Sequence, residues 1–205
     1  MPLNDRYRRQ VALLIAAVPF VAAEREFALK GGTAINLFVR DMPRLSVDID
    51  LTYLPVAPRA ESLAAIDAGM KRIAAALRAG LRGVRVNEVV NAREQIVTKL
   101  MVQGSDAQIK IEVTPVLRGC VFEPELRAVS AAVEDAFGFA EMQVVSFSDL
   151  YAGKIMAALD RQHPRDLFDI RDLLANEGIS KDLRRVACMF PAEGEAVRTR
   201  HWTDC

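Results

Sequence analysis

Cysteine is scarce in this chain and poorly placed for bonding. The three that occur, Cys120, Cys188 and Cys205, are scattered and odd in number, with no Cys-x-x-Cys pair and no cysteine–histidine spacing. Neither a disulfide framework nor a zinc site is expected, and a reducing cytoplasm suits the chain best. Histidine is scarcer still. His163 and His201 have no metal-ligand partner at helical spacing and read as a helix-start residue and a tail residue. Aromatic residues make up 6% of the sequence, too few for a platform on which nucleic-acid bases stack. Charge of neither sign is in excess, with 27 Lys+Arg against 27 Asp+Glu, which removes a global basic signature of nucleic-acid binding but leaves local patches open. Long apolar runs are missing too. Arg6, Arg8 and Arg9 ahead of Val11 to Ala23 imitate a secretory signal peptide, but Pro19 and Glu24 bound this run and it is too short to span a bilayer. A buried first helix, and no membrane partner, is the expectation.

What is present suits one domain, or one domain with a small appendage, in 205 residues. The pattern predicts a helix over 5–24, with Pro19 ending or kinking it, and a short strand over Phe27–Lys30 broken by Gly31-Gly32. Thr33 can cap a helix over Ala34–Val39. A strand at about 45–54 is closed by Pro55 and Pro58, and an Ala-rich helix over 59–80 places Leu63, Ile66, Met70, Ile73 and Leu77 on one face. Strands Val84–Val90 and Gln95–Gln103 form an antiparallel pair, and a third, Gln108–Thr114, is ended by Pro115. From 117 to 147 the pattern reads as a loop, a short strand or helix around 126–133, and a strand near Met142–Ser146. Ser148 caps a helix to Arg161, and His163-Pro164 starts another that runs to Asn176 and stops at Gly178.

One stretch carries the chemistry. Read with a period of two, Leu45, Val47, Ile49, Leu51 and Tyr53 point one way, while Arg44, Ser46, Asp48, Asp50 and Thr52 point the other. Asp48 and Asp50 are then side by side, roughly 6–7 Å apart along the strand. Two adjacent like charges share a proton or recruit a cation, and Mg²⁺ or Mn²⁺ is the natural partner of such oxygens. A helix start behind Gly31-Gly32 offers backbone N–H groups to a phosphate. Glu112, on the polar side of a later strand, is placed as third carboxylate, to bind metal and help deprotonate an attacking hydroxyl. It could instead pair with Lys110 as a solvated residue. The set suits in-line displacement at the α-phosphate of an NTP, with pyrophosphate leaving.

Gly31-Gly32-Thr33 followed by Asp48-Ile49-Asp50 resembles the signature of the DNA polymerase β-like nucleotidyltransferase superfamily. The longer run Leu29-Lys30-Gly31-Gly32-Thr33, with Arg44-Leu45-Ser46-Val47-Asp48-Ile49-Asp50-Leu51, resembles the AbiEii/AbiGii family of type IV toxin–antitoxin and abortive-infection toxins. So do Lys154-Ile155-Met156-Ala157-Ala158-Leu159 with Arg161, and Arg165-Asp166-Leu167-Phe168-Asp169-Ile170. The resemblance covers about 25–180.

It implies an α/β (α+β) nucleotidyltransferase fold, a mixed β-sheet flanked by helices with a small C-terminal helical region. Residues 1–147 would be the nucleotidyltransferase domain, 148–187 a helical region completing the nucleotide site, and 188–205 an irregular tail such as a truncated member would carry. It implies Asp48, Asp50 and Glu112 as catalytic and metal-binding residues. Lys30, Gly31, Gly32, Thr33, Arg44 and Ser46 would bind nucleotide. Lys154 would bind the triphosphate, with Asp166 and Asp169 in the site. Lys154 and Arg161, seven apart with Ala158 between them, share a helix face, while Asp166, Asp169 and Asp172 interleaved with Arg165 and Arg171 also suit a salt-bridged face. The implied activity is transfer of an NMP from an NTP to an RNA acceptor, tRNA foremost, in the cytoplasm, with an antitoxin encoded nearby. An aminoglycoside-type or protein nucleotidyltransferase, or a nucleotide-binding protein without transfer activity, are the alternatives.

Overall fold

Apolar side chains at every second position put Ile49, Leu51 and Tyr53 of one strand on the same inner face as Ile109, Ile111 and Val113 of its neighbour. All of them are buried in the computed structural model, which describes residues 5–189. The chain divides between Val145 and Ser146 into two compact units, with Val121–Glu123 belonging to the second.

The first unit is built on seven strands: β1 (Phe27–Lys30), β2 (Asp48–Tyr53), β3 (Arg85–Val90), β4 (Val97–Gln103), β5 (Gln108–Arg118), β6 (Glu125–Ala128) and β7 (Glu141–Val144). They form one mixed sheet in the order β3-β4-β5-β2-β1-β7-β6. β2 runs antiparallel to β1 and parallel to β5, so the strand with the two aspartates is central and held on both edges. Four helices belong to this unit: α1 (Asp5–Ala22), α2 (Gly31–Thr33, continuing as a π-helical stretch over Ala34–Val39), α3 (Arg59–Gly80) and α4 (Ala131–Phe137).

The run that imitates a signal peptide is a core helix. α1 buries Val11, Leu14, Ile15, Val18 and Val21, a stripe whose members each contribute roughly 1.5–3 kcal/mol, and it passes through Pro19 to end three residues later. α3 buries Ile66, Met70, Ile73 and Leu77 as its spacing predicts, while Leu63 at its start is only partly buried. It approaches β1 so closely that a Cβ on Gly69 would lie 2.6 Å from the Phe27 ring. Among the described residues no helix is long and apolar enough to cross a membrane.

Five local expectations are corrected. The central strand begins at Asp48, not 45, and Leu45 is exposed rather than part of the inner comb. Residues 44–47 form a loop pinned by side chains described below. Thr33 does not cap: it lies inside the helical stretch with αR backbone, and Lys30 holds the N-cap position of α2 without a side-chain cap bond. Pro115 does not end β5, because β2 and β5 slip in register between Leu51↔Val113 and Tyr53↔Arg118. That irregularity absorbs a residue lacking an N–H donor.

The fourth and fifth corrections lie in the second unit, α5 (Phe147–Arg161), α6 (Pro164–Asn176) and α7 (Lys181–Met189). Ser146, not Ser148, caps α5, accepting from the Asp149 N–H at 3.0 Å. The Asp149 carboxylate in turn accepts the backbone N–H groups of Val121 and Phe122 at 2.8 and 3.1 Å, which ties that short segment to the helices. His163 accepts from the Arg165 N–H at the start of α6, and Gly178 follows the helix with φ +70°. Cys188 and Met189 are the last residues of α7, so the irregular stretch expected from 188 does not begin there. Residues 190–205 lie outside the described residues.

Candidate active site

Residues paired directly across neighbouring strands share a face of the sheet. Lys30 of β1 lies opposite Asp50 of β2, Asp50 opposite Glu112 of β5, and Glu112 opposite Lys99 of β4. One step along, Asp48 lies opposite Lys110. The fold therefore gathers Asp48, Asp50 and Glu112 on one face with three lysines. Asp48 and Asp50 were joined by local alternation alone; Glu112 is added by the parallel register of β2 and β5.

The lysines determine the electrostatics. Lys110 Nζ is 2.8 Å from Glu112 Oε2 and 3.6 Å from Asp48 Oδ2, and Lys99 Nζ is 3.1 Å from Glu112 Oε1. These side chains keep between 28% and 46% of their exposure. Burial pushes the Asp50 carboxyl above its ordinary range, Lys110 and Lys30 oppose this, and Asp48 and Glu112 add to it. For Glu112 burial also acts upward, but hydrogen bonds from Lys110 and Lys99 reverse the direction and hold it low. Burial lowers Lys110, and its bond to Glu112 with the fields of Asp48 and Asp50 more than offsets that, so its pKa is raised. Burial draws Lys30 below its ordinary value, against the pull of Asp50. The two carboxylates that face each other, Asp50 and Glu112, are thus driven apart in acidity.

The donor set is hard oxygen at adjacent register positions, which fits Mg²⁺ or Mn²⁺. Among the described residues no three acidic, cysteine or histidine side chains form a ready-made metal cage, since Glu112 is turned to its two lysines. Asp48 and Asp50, with Glu112 once it is released, are the residues that would hold such an ion.

The glycine corner explains its own composition. Gly31 has φ +76°, and a Cβ there would stand 2.7 Å from Asp50 Oδ2. A Cβ on Gly32 would stand 2.6 Å from Arg44 Nη2 and 2.9 Å from Ser46 Oγ. Both glycines are therefore sites of close approach, and they bring the backbone of α2 against Asp50, Arg44 and Ser46. The Thr33 hydroxyl, expected on the backbone, instead meets Ser46 Oγ at 3.0 Å.

Sequence reasoning missed two residues that hold this corner. Asn36, fully buried, donates from Nδ2 to Tyr7 Oη at 3.0 Å and accepts the Arg44 N–H at 3.2 Å. The Tyr7 hydroxyl donates to the Arg44 carbonyl at 3.3 Å. A lone Asn in the apolar stretch Ala34–Val39 is a visible signal of a buried polar contact; its partners, eight and twenty-nine residues away, are not.

The second unit holds a cluster of its own. Lys154 Nζ lies 2.9 Å from Asp166 Oδ1 and 3.3 Å from Asp169 Oδ2, and Arg161 Nε lies 2.7 Å from Asp166 Oδ2. Asp166 and Asp169 are 2% and 1% exposed, and Lys154 7%. Asp169 is turned inward to Lys154 and does not serve merely as a surface partner of Arg165. Burial alone would raise Asp166, but hydrogen bonds from Arg161 and Lys154 bring it down to about 2. Lys154, Asp166 and Asp169 are brought together, as are Lys30, Gly31, Gly32, Thr33, Arg44, Ser46, Asp48, Asp50 and Glu112 in the first unit.

No curated protein sequence matches the chain. Among solved structures it is similar to MenT4, a nucleotidyltransferase toxin from Mycobacterium tuberculosis, with 18% identity and a TM-score of 0.62 over 88% of this chain and 64% of that one. It thus spans less than two thirds of the MenT4 chain. It is also similar to the antibiotic-resistance factor ANT(2'')-Ia, with 16% identity and a TM-score of 0.50 over 88% of this chain and 91% of that one. At such identities the likeness is one of fold, and both folds are nucleotidyltransferase folds. The family match reaches further, over residues 12–201, to the nucleotidyl transferase AbiEii toxins of type IV toxin–antitoxin systems. The chain belongs to the AbiEii nucleotidyltransferase toxin family.

Proposed function

We propose that the chain is a divalent-metal-dependent nucleotidyltransferase that moves an NMP from an NTP to an RNA acceptor, tRNA foremost. Its setting would be the cytoplasm, and its physiological counterpart an antitoxin encoded nearby. The observation that carries the reading is the row Asp50↔Glu112 across β2 and β5, with Asp48 beside it and Gly31 packed on Asp50.

Mg²⁺ or Mn²⁺ held by Asp48, Asp50 and Glu112 would supply charge to neutralise phosphoryl oxygens and acidify the attacking hydroxyl. The remaining work falls to the chain. Lys30 and Arg44, with the backbone of Gly31 and Gly32, bind and orient the triphosphate, and Thr33 with Ser46 keeps the corner in shape. Glu112, once released from Lys110 and Lys99, helps take the proton of the acceptor hydroxyl. The hydroxyl oxygen forms the new bond to the α-phosphorus as the bond to pyrophosphate breaks. Lys154 as a triphosphate ligand, and Asp166 and Asp169 with it, rest on the family resemblance.

Incubation with each α-labelled NTP, Mg²⁺ and total RNA tests this. Label should enter RNA, and Asp48→Asn or Asp50→Asn should abolish it. Label found instead on an added aminoglycoside or on the protein itself would move the acceptor to another class. NTP binding without transfer to anything would leave a binding protein.

A further inference from the structure

Lys110 has no role in the reaction as described, yet it pairs with two of the three carboxylates on this face. It lies opposite Asp48 in register and two residues before Glu112 on the same strand, so its stem rises from the same face as all three carboxylates. Its ammonium contacts Glu112 at 2.8 Å and Asp48 at 3.6 Å, two of the three residues that would take a metal ion. An ammonium and a divalent ion cannot share those oxygens closely, because like charges a few ångströms apart repel.

We infer that Lys110 is a built-in counter-cation that a divalent ion must displace from Asp48 and Glu112, and that it thereby sets how tightly the carboxylate row takes metal. This deepens the metal-dependent reading above and rests on it. The geometry suits displacement. Both contacts are partly solvated, at 28% exposure for Lys110 and 46% for Asp48, and such pairs are weak enough to exchange. The lysine stem is flexible while its backbone stays in the β-ladder between β2 and β4. A displaced ammonium remains above the carboxylate face, where triphosphate oxygens are its natural next partner. Without metal, the same ammonium keeps adjacent carboxylates from forcing each other apart. Lys99 pairs with Glu112 and is expected to act in the same direction more weakly.

Mn²⁺ titration of the full chain at pH 8, followed by the electron paramagnetic resonance signal of free Mn²⁺ with no nucleotide present, tests the inference. Lys110→Met should bind Mn²⁺ roughly tenfold more tightly than the wild type. Lys110→Arg, which keeps the cation, should stay near the wild type, and Lys99→Met should fall between them. Circular dichroism checks that each variant is folded, and Lys110→Gln carries the same expectation as Lys110→Met if the latter is not. Equal or weaker Mn²⁺ binding by the folded uncharged variants, with Mn²⁺ still bound by the wild type, overturns this inference alone. If none of the proteins binds Mn²⁺ at millimolar concentration, both the inference and the metal-dependent reading fall.

Discussion

Two charge clusters, one in each unit, are made from the same residue types and built to opposite ends. On the sheet, Asp48, Asp50 and Glu112 meet Lys110 and Lys99 through contacts that keep about a third of their solvent exposure. Among the helices, Lys154 and Arg161 close on Asp166 and Asp169, whose carboxylates are 2% and 1% exposed. Exposed pairs are worth about 0–1 kcal/mol and exchange partners readily. A buried pair adds little over an apolar equivalent, but losing one member strands a charge at about 3–5 kcal/mol. The first cluster is therefore suited to ligand exchange, and the second holds its helices in place besides the nucleotide role proposed for it, so substitutions should separate the two in stability.

The largest separation is expected at Asp50. Asp50→Asn should lower transfer of label from NTP by at least about 10²-fold while urea unfolding changes little, because the residue lies on the carboxylate face of the sheet, opposite Glu112 and beside Gly31. Lys154→Met should do the reverse where stability is concerned, costing about 3 kcal/mol in urea unfolding, since Asp169 loses its 3.3 Å partner. Acid should expose the same contrast. Asp166 titrates near 2 when folded against an ordinary 3.8, so its stabilisation of about 2 kcal/mol is complete above pH 3.8 and fades as pH falls towards 2. Stability measured from pH 5 to pH 2 should drop more steeply in the wild type than in Asp166→Asn. At the edge of the sheet cluster, Tyr7→Phe should cost about 1 kcal/mol and weaken NTP binding several-fold by loosening Arg44. Smallest is Lys99→Met, whose half-exposed contact to Glu112 should leave unfolding within about 0.5 kcal/mol of the wild type.

Local periodicity revealed most of the elements and half of the site. Ile109, Ile111 and Val113 alternate strictly, and α3 repeats at helical spacing, so their burial could be read without a partner in view. What the residue pattern hid depended on distant pairing. Leu45 continues the apolar comb, yet the Tyr7–Asn36–Arg44 bonds hold its segment as a loop and leave it exposed. Lys110 reads locally as a partner of Glu112, and only the parallel register with β2 shows that it also faces Asp48. Asp169 sits four residues after Arg165, a spacing that imitates a surface pair, but packing of α6 on α5 turns it to Lys154. Ser148 and Thr33 are both acceptable cap types, and the choice of Ser146 and of no side-chain cap at α2 was made by neighbouring contacts, Asp149 and Ser46 respectively.

The most direct test is the position of Mn²⁺ in a crystal of the protein grown with an unreactive NTP analogue, located by its anomalous scattering. The account predicts a peak bonded to Asp48 and Asp50, with Lys110 moved off Asp48 and the triphosphate lying over the Gly31–Gly32 corner. A nucleotide bound elsewhere, or a Mn²⁺-free row with Lys110 still resting on Asp48 and Glu112, would contradict it.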